Sequence, residues 1–347
     1  MVICEHRLGS NAFAMMKALR RQPGWDVTDF CDKEYVPLRW KRRWLKALGR
    51  FIRPFAAREF NELILTTARQ QPPDLFLVFK GTYLFGATLR ELQRMGAKTY
   101  CVYPDVSFRV HGPYIPDALS CYDWVFTTKP FGIKDMREQL GVTRSSVIQH
   151  AADPDVHRPT TLSEAEEDTF ACDASFIGTW SPKKAQLLSH VMQQLPDVRL
   201  RIWGSQWERE RDNDMLRNAI MGHPAYGVDY AKALGASKIN IAILSEARIG
   251  ASSGDTTTSR TFHIPASGGF MLHERTDELL SLFEEGKHAA CFADAAELAG
   301  KISYYLDHED ERKRIAAAGL REAAEKHTWD QRIEVVLAKH AELISQS

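Results

Sequence analysis

Short, continuously apolar runs alternate along this chain with amphipathic stretches of helical period, and the alternation occurs twice. In the first series "MVIC", "DLFLVFKG", "KTYCVYPD", "YDWVFTT" and "SSVIQHAADP" read as strands. Between the first two, "NAFAMMKALRRQ" puts Ala12, Phe13, Met16 and Leu19 on one helical face. The run that ends at Lys80 and Gly81 lacks polar alternation, which suits a parallel strand buried on both faces. A second series begins near Cys172, with strands "CDASFIGTW", "VRLRIWGS", "KINIAILS" and "GGFML" around the helical "KKAQLLSHVMQQL" and "YAKALGAS". Then "TDELLSLFEEG" offers Thr276 as an N-cap, and "DAAELAGKISYYL" opens with Asp294 and Glu297 at the spacing of reciprocal capping. This order predicts an α/β protein of two doubly wound parallel-sheet domains.

The two series are divided by "AADPDVHRPTTLSEAEEDTFAC", whose middle is polar and acidic and whose Pro154 and Pro159 discourage regular structure. The expected division is residues 1–153, residues 154–327, and a terminal helix over 328–347. That last helix, "HTWDQRIEVVLAKHAELI", carries Trp329, Ile333, Val336 and His340 on one side and follows other helices with no strand between. It is expected to leave its own sheet and pack on the first domain.

A length of 347 residues suits two domains. Lysine plus arginine equals aspartate plus glutamate, 45 each, so nothing asks for nucleic acid as a partner. The six cysteines have no CxxC spacing and lie mostly in apolar runs, as buried reduced thiols do. No histidine, cysteine and carboxylate set has metal-ligand spacing along the chain, so no metal is expected. No secretory apolar region opens the sequence, and no run approaches the ~18 apolar residues of a membrane span. The chain is therefore expected in the cytoplasm, or on the cytoplasmic face of a membrane.

Several strand ends place glycine beside polar groups. "EHRLGSN" follows the first strand, where Gly9 permits close backbone approach and the amides at Ser10 and Asn11 can face an anion; an ordinary strand-to-helix turn explains them equally. "SFIGTWSPKK" repeats the arrangement, with Gly178 and Thr179 at the strand end and Lys183 and Lys184 at the next helix start, where cations oppose the helix dipole. Trp203 and Gly204 end the following strand. After "KINIAILS" comes a stretch rich in glycine and hydroxyls that contains Asp255 and leads into "TSRTFHIPASGGFML". Thr258 or Ser259 can cap a helix there, Arg260 offers a fork of donors suited to phosphate, and His263 follows. Pro265 should kink or end that helix early, with Gly268 ending the turn. A solvated loop is the competing reading.

On the first domain, Lys80, Asp105 and His111 follow predicted strands, and His111 lies in "FRVHGPY", a loop that should face the cleft. Residues 39–58, "RWKRRWLKALGRFIRPFAAR", interleave basic side chains with Trp40, Trp44, Phe51 and Phe55 and contain no acid. Such a stretch suits peripheral contact with an anionic membrane, attraction of an anionic acceptor, or cover for a neighbouring helix.

Taken together, "SVIQHAADPDVHRP", "FIGTWSPKK", "YAKALGASKINIAIL", "SRTFHIPASGGFMLHERTDELLSLFEEGKHAACFADAAELAGKISYYL" and "HTWDQR" resemble, in order, the GT-B glycosyltransferases of the group 1 (family 4-like) type, and most closely the CgeB-like branch. The resemblance implies two Rossmann-like domains facing a cleft and a C-terminal helix that crosses back. It implies a nucleotide-sugar donor held mainly by the second domain, an acceptor held by the first, no metal or other cofactor, and retention of anomeric configuration. The donor site would comprise Gly178, Thr179, Lys184, Trp203, Gly204, Thr258, Ser259, Arg260 and His263. Asp255 would contact the sugar, with Asp105 and His111 as further catalytic candidates and Gly9, Ser10, Asn11 and Lys80 on the acceptor side. Two departures stand out. Asp255 and His263 occupy the positions of two glutamates that contact sugar and ribose in relatives, and Thr179 stands where many relatives have arginine. Within the same architecture, a sugar-nucleotide epimerase and a non-catalytic sugar-nucleotide-binding or assembly protein are the alternatives to a transferase.

Overall fold

The computed structural model describes residues 1–35, 43–245 and 254–346, with side chains from 52 onward in the second of these ranges and up to 34 in the first. Two compact units emerge: residues 1–149 with 332–347, and residues 150–246 with 255–331.

The first unit is built on a six-stranded, wholly parallel sheet. Its strands are β1 (Val2–Ile3), β2 (Asp29–Phe30), β3 (Leu75–Phe79), β4 (Lys98–Tyr103), β5 (Trp124–Thr127) and β6 (Ser145–Val147), in the order β2-β1-β3-β4-β5-β6. Phe76, Leu77, Val78, Tyr100, Cys101 and Val102 are fully buried, as two-faced cover by helices requires. The second unit repeats the plan with β7 (Cys172–Ile177), β8 (Leu200–Trp203), β9 (Ser237–Ala242), β10 (Met271–Glu274) and β11 (Ala290–Phe292), in the order β11-β10-β9-β7-β8. In both sheets the chain leaves the first strand toward one side and then returns on the other. That places topological switch points between β1 and β3 and between β7 and β9, where loops part and open sheets of this kind receive ligands.

Most expected elements are present. Thr276 and Asp294 cap their helices by accepting from Leu279 N–H (3.1 Å) and Glu297 N–H (2.9 Å), and Glu297 returns the favour to Ala293 N–H at 2.8 Å. The terminal helix Trp329–Ser345 buries Trp329, Ile333, Val336 and His340, and from Arg332 it belongs to the first unit. There the His340 ring lies 3.0 Å from the Tyr100 hydroxyl and edge-on to Trp25.

Three elements differ from the sequence reading. The two-residue edge strand β2 and the short β11 carry too few residues to show a period. The supposedly irregular divide contains a helix, Glu164–Phe170, nucleated by Glu166 accepting from the backbone (3.0 Å) and the hydroxyl of Ser163. Its beginning is also far from solvated: Ala151, Ala152, Asp153, Val156 and His157 are buried, and Ala152 pairs with the backbone on either side of Thr328. The membrane-contact reading of 39–58 rests mostly on side chains outside the described residues. Within the described part, a helix over Arg43–Gln70 continues past Pro54, with Phe55 exposed and Ala56, Ala57 and Phe60 buried.

That long helix positions the loop after β3 through one buried amide. Asn61 donates to the carbonyls of Ala57 (2.6 Å) and Tyr83 (2.8 Å) and accepts from Phe85 N–H (3.0 Å) and the Thr88 hydroxyl (2.7 Å). All four hydrogen-bonding capacities of the side chain are met. Asn61→Leu would strand the Phe85 amide and the Tyr83 carbonyl in the interior. We expect it to cost about 2–4 kcal/mol, read as a lower urea midpoint; an unchanged midpoint would show that the amide does not hold this loop.

Candidate functional site

In the second unit, the carboxyl ends of β7, β8 and β9 and two helix starts come together. The helix Pro182–Gln194 begins after β7, and the helix Ser259–Ala266 connects β9 to β10. The first two strand-end loops are zipped. Gly178 N–H donates to Trp203 O (2.9 Å), Trp180 N–H to Ser205 O (3.0 Å), and Trp207 Nε1 to Gly178 O (2.8 Å). The hydroxyls of Thr179 and Ser205 lie 3.2 Å apart. Gly204 has φ 154°, and a Cβ there would stand 1.9 Å from the Gly178 carbonyl oxygen, so only glycine fits.

Arg260 joins this loop pair to β9. Its Nη1 donates to Ile177 O at the end of β7 (3.3 Å), and Nη2 donates to Ile243 O just past β9 (2.5 Å). The guanidinium lies 5.1 Å from the centroid of the Phe176 ring. A Cβ on Gly178 would stand 2.6 Å from Nη1, so the glycine makes room for the cation. Burial lowers the Arg260 pKa, opposed by the neighbouring Tyr230 and Asp255. The Nε atom has no hydrogen-bond partner, an arrangement that costs about 1–3 kcal/mol in a dry site.

These two bonds give Arg260 a structural task beside the diphosphate role expected of it. Two of its donors are committed to backbone carbonyls, and it first of all fixes strand ends. Lys183 and Lys184 are likewise not simply solvated. Lys184 is buried and donates to Thr179 O at 3.0 Å, while Lys183 pairs with Glu274 Oε1 at 2.5 Å. Trp203 is fully buried among Phe170, Ile177 and Phe262, so its ring has no access to a ligand and the position acts through its carbonyl.

His263 also proves to be a packing residue. Its ring stacks on His157 at 3.8 Å between centroids, meets Tyr230 edge-on, and donates from Nε2 to Ala151 O at 3.2 Å. Burial first, then the neighbouring His157, drives its pKa well below the usual value, so it is neutral. One ring nitrogen is committed to the chain, which removes much of its capacity to replace a ribose-binding glutamate.

Thr258 and Ser259 do begin the helix, and Pro265 is its penultimate residue. The chain turns out through Gly268 at φ 80° as expected. What holds the helix start was missed in the sequence. Thr258 N–H donates to Thr261 Oγ1 (3.0 Å), and that hydroxyl lies 2.8 Å from His273 Nε2. The other nitrogen, Nδ1, is 2.6 Å from Glu274 O, so the partners assign the proton to Nδ1 and make Nε2 the acceptor. Glu274 also accepts from Leu244 N–H at 3.0 Å. The polar pair ending the apolar run "GGFMLHE" was the available signal. Asp255 lies in the loop just before the helix, its N–H 3.3 Å from Ser245 O, and the adjacent Thr256 bonds Glu278 and accepts from Thr276.

The first unit also assembles its candidates. Lys80 Nζ is 2.7 Å from Asp105 Oδ2, and His111 Nε2 is 3.6 Å from Asp105 Oδ1. Lys80 itself has φ 71°, a left-handed conformation costing about 1–3 kcal/mol in a residue with a Cβ. At the neighbouring loop, Ser10 spends its hydroxyl as the N-cap of the helix Asn11–Arg21, accepting from Phe13 N–H (3.2 Å), with Gly9 at φ 77°. The turn reading thus accounts for Gly9, Ser10 and Asn11 without a ligand.

Residues 183–338 match the model of a family described as glycosyl transferase-like. No curated protein matches the chain in sequence. Among solved structures, a sucrose-phosphate synthase from Thermosynechococcus elongatus superimposes with a TM-score of 0.69 at 13% identity, over 100% of this chain and 99% of that one. A glycosyltransferase from Rickettsia africae gives 0.67 at 14% identity, over 100% and 98%. Anabaena Alr3699/HepE in complex with UDP and glucose gives 0.59 at 14%, over 97% and 99%. The chain has the GT-B fold. The glycosyl transferase-like segment takes in β8, β9 and the helix Ser259–Ala266, while β7, its Gly178 loop and Pro182 at the other helix start lie just before it.

The His273 relay makes a pH prediction. Burial lowers its pKa from 6.5 to about 4 in the folded chain. Between those values the unfolded chain binds a proton that the native chain does not, so stability rises with pH there and is lost on acidification. The loss is about 2 kcal/mol by pH 5. We expect His273→Gln to flatten the decline in urea midpoint between pH 7 and pH 5; an unaltered slope would remove His273 as its source.

Proposed function

We propose that this protein is a glycosyltransferase. It moves a sugar from a nucleoside-diphosphate donor to a hydroxyl of a glycan, lipid-linked or protein acceptor, without a resident metal. The observation that carries the reading is the meeting of two helix starts, two glycine loops and a largely buried arginine at the β7–β9 switch point, in and beside the glycosyl transferase-like segment. The likeness to HepE, solved with UDP and glucose, supports a nucleotide-sugar donor. The order of the second-unit motifs supports the CgeB-like branch.

In this reading the first-turn amides of the helices Pro182–Gln194 and Ser259–Ala266 receive the diphosphate, where helix dipoles favour negative charge. Lys184, held against the Thr179 carbonyl, adds positive charge to the same loop. The bond from the sugar C1 to the diphosphate oxygen breaks as the acceptor oxygen bonds to C1. Charge grows on the leaving diphosphate, and these donors stabilise it as it develops. Asp255 contacts a sugar hydroxyl. In the first unit, the Lys80–Asp105–His111 cluster orients the acceptor hydroxyl, and His111 or Asp105 takes its proton in this reading. Retention of configuration is the outcome that the resemblance implies, and the anomeric proton signal of the product reads it.

The test is thermal shift with UDP, GDP, ADP and their glucose conjugates, followed by donor turnover with candidate acceptors. A ligand at 100 times its Kd adds about 2.7 kcal/mol, an upward shift of several degrees. We expect one base to give that shift, and Asp255→Asn to keep it while turnover falls about 100-fold. No shift with any nucleotide would overturn the reading. A shift without transfer would make the chain a binding protein, and interconversion of the donor sugar without acceptor would make it an epimerase.

A further inference from the structure

Outside the donor site, a thiol, an imidazole and a carboxylate meet in the first unit where β1 and β2 lie side by side. The two strands are parallel, with Val2 opposite Asp29 and Ile3 opposite Phe30. Side chains alternate along a strand, so Cys4 falls on the same face as Val2, and hence as Asp29. Cys4 N–H donates to Phe30 O at 3.0 Å, which continues the ladder and fixes the buried thiol beside β2. His6 follows on the loop after β1. The Cys4 sulfur, a ring nitrogen of His6 and a carboxylate oxygen of Asp29 all lie within 4.8 Å of one another. The two His6 nitrogens face different groups. Nε2 contacts Asp29 Oδ2, whereas Nδ1 faces Glu34 Oε1 at 3.2 Å. Arg20 donates to the other oxygen of Asp29, Oδ1.

We propose that Cys4 Sγ, His6 Nε2 and the Asp29 carboxylate bind one divalent cation of the zinc class, with water as the fourth ligand. One thiolate, one imidazole and one carboxylate form a borderline donor set, whereas magnesium and calcium take oxygen ligands. The fourth position is open to solvent, since the His6 side chain is 32% exposed. The outer partners are already in place. Glu34 on Nδ1 is the carboxylate contact that orients metal-bound histidines, and Arg20 steadies Asp29 from Oδ1. Charge balances as well, because thiolate and carboxylate together neutralise a dication. On binding, the cation replaces the thiol proton and the proton shared by Nε2 and Asp29, and both protons pass to water. A second triad uses the opposite nitrogen, with Cys31 and Glu34. Its carboxylate is 63% exposed on the four-residue helix Asp32–Tyr35, against 12% for Asp29 within β2. The Cys4–His6–Asp29 set is thus the better fixed of the two, and it leaves Glu34 free for the outer role.

Spacing along the chain hides this set, because Asp29 reaches Cys4 only through the register of two parallel strands. The ion would tie the loop after β1 to β2 and takes no part in sugar transfer, so its test does not involve activity. The full chain, reduced and freed of metal, is titrated with cobalt(II). We expect one equivalent to give the visible bands of a four-coordinate site and a charge-transfer band with the intensity of one thiolate. Zinc should bleach both, and magnesium should bleach neither. Cys4→Ser should abolish the charge-transfer band, Asp29→Asn should abolish binding of the first equivalent, and Glu34→Gln should weaken it about tenfold. Cys31→Ser should leave the band and the affinity unchanged. Near-ultraviolet circular dichroism identifies any variant that fails to fold, and if Cys4→Ser is one, Asp29→Asn decides. Absence of the bands in the folded wild-type chain, or their survival in folded Cys4→Ser or Asp29→Asn, would overturn the proposal. So would their loss in folded Cys31→Ser, which would move the thiolate to the other triad.

Discussion

The guanidinium of Arg260 closes the gap that parallel topology opens in the second sheet. β7 and β9 are hydrogen-bonded neighbours, yet the chain leaves them toward opposite sides, so nothing in the ladder restrains their ends. Arg260 takes both terminal carbonyls, Ile177 O and Ile243 O, with one rigid fork. The consequences spread from there. Gly178 must lack a side chain to admit the cation, Gly204 must lack one to admit Gly178, and Lys184 closes the loop from the far side. A positive charge is thus set at the base of the switch point, with Asp255 as its acidic neighbour. A site prepared in this way suits a negatively charged ligand before any such ligand arrives.

The helix Ser259–Ala266 supplies Arg260, and its own placement depends on groups distant in sequence. Its start is registered by the Thr258–Thr261–His273 relay onto β10. Its middle is held by His263, which stacks on His157 and bonds the Ala151 carbonyl. His263 and His273 are kept neutral by burial. A glutamate at 263 would bring a charge into this packed interior, stacked on an imidazole, and would need a cation or donors to offset it. The imidazole at this position is therefore consistent with its surroundings. A donor bound here would find its ribose partner in other groups.

The architecture was legible because parallel strands buried on both faces are uninterrupted apolar runs, as "DLFLVFKG" and "KINIAILS" are, and because capping follows local rules, as at Thr276 and Asp294. The strand ends were legible as places of interest for the same reason, since glycine at a strand end is a local signal. What escaped was set by partners far along the chain. His263 was visible as an anomaly, but Ala151, its hydrogen-bond acceptor, is 112 residues away. Arg260 was recognised as a donor fork, but its acceptors are main-chain carbonyls, which carry no sequence signature. The divide after Gln149 looked polar by composition, whereas Ala151, Ala152 and Val156 bury one side of it. The Lys80–Asp105–His111 cluster was foreseen only as three strand-end residues, and the sheet order that puts β3 beside β4 brought them together.

The central claim is that the diphosphate of a nucleotide donor is held at the β7–β9 switch point by backbone amides. Amide hydrogen exchange of the full chain, with and without saturating UDP, and with GDP and ADP in parallel, addresses it directly. With the nucleotide that binds, slowed exchange should concentrate in residues 178–185, 203–206 and 255–262, with little change in the first sheet. Protection confined to the first unit, or to the opposite, amino-terminal edge of the second sheet, would contradict the account.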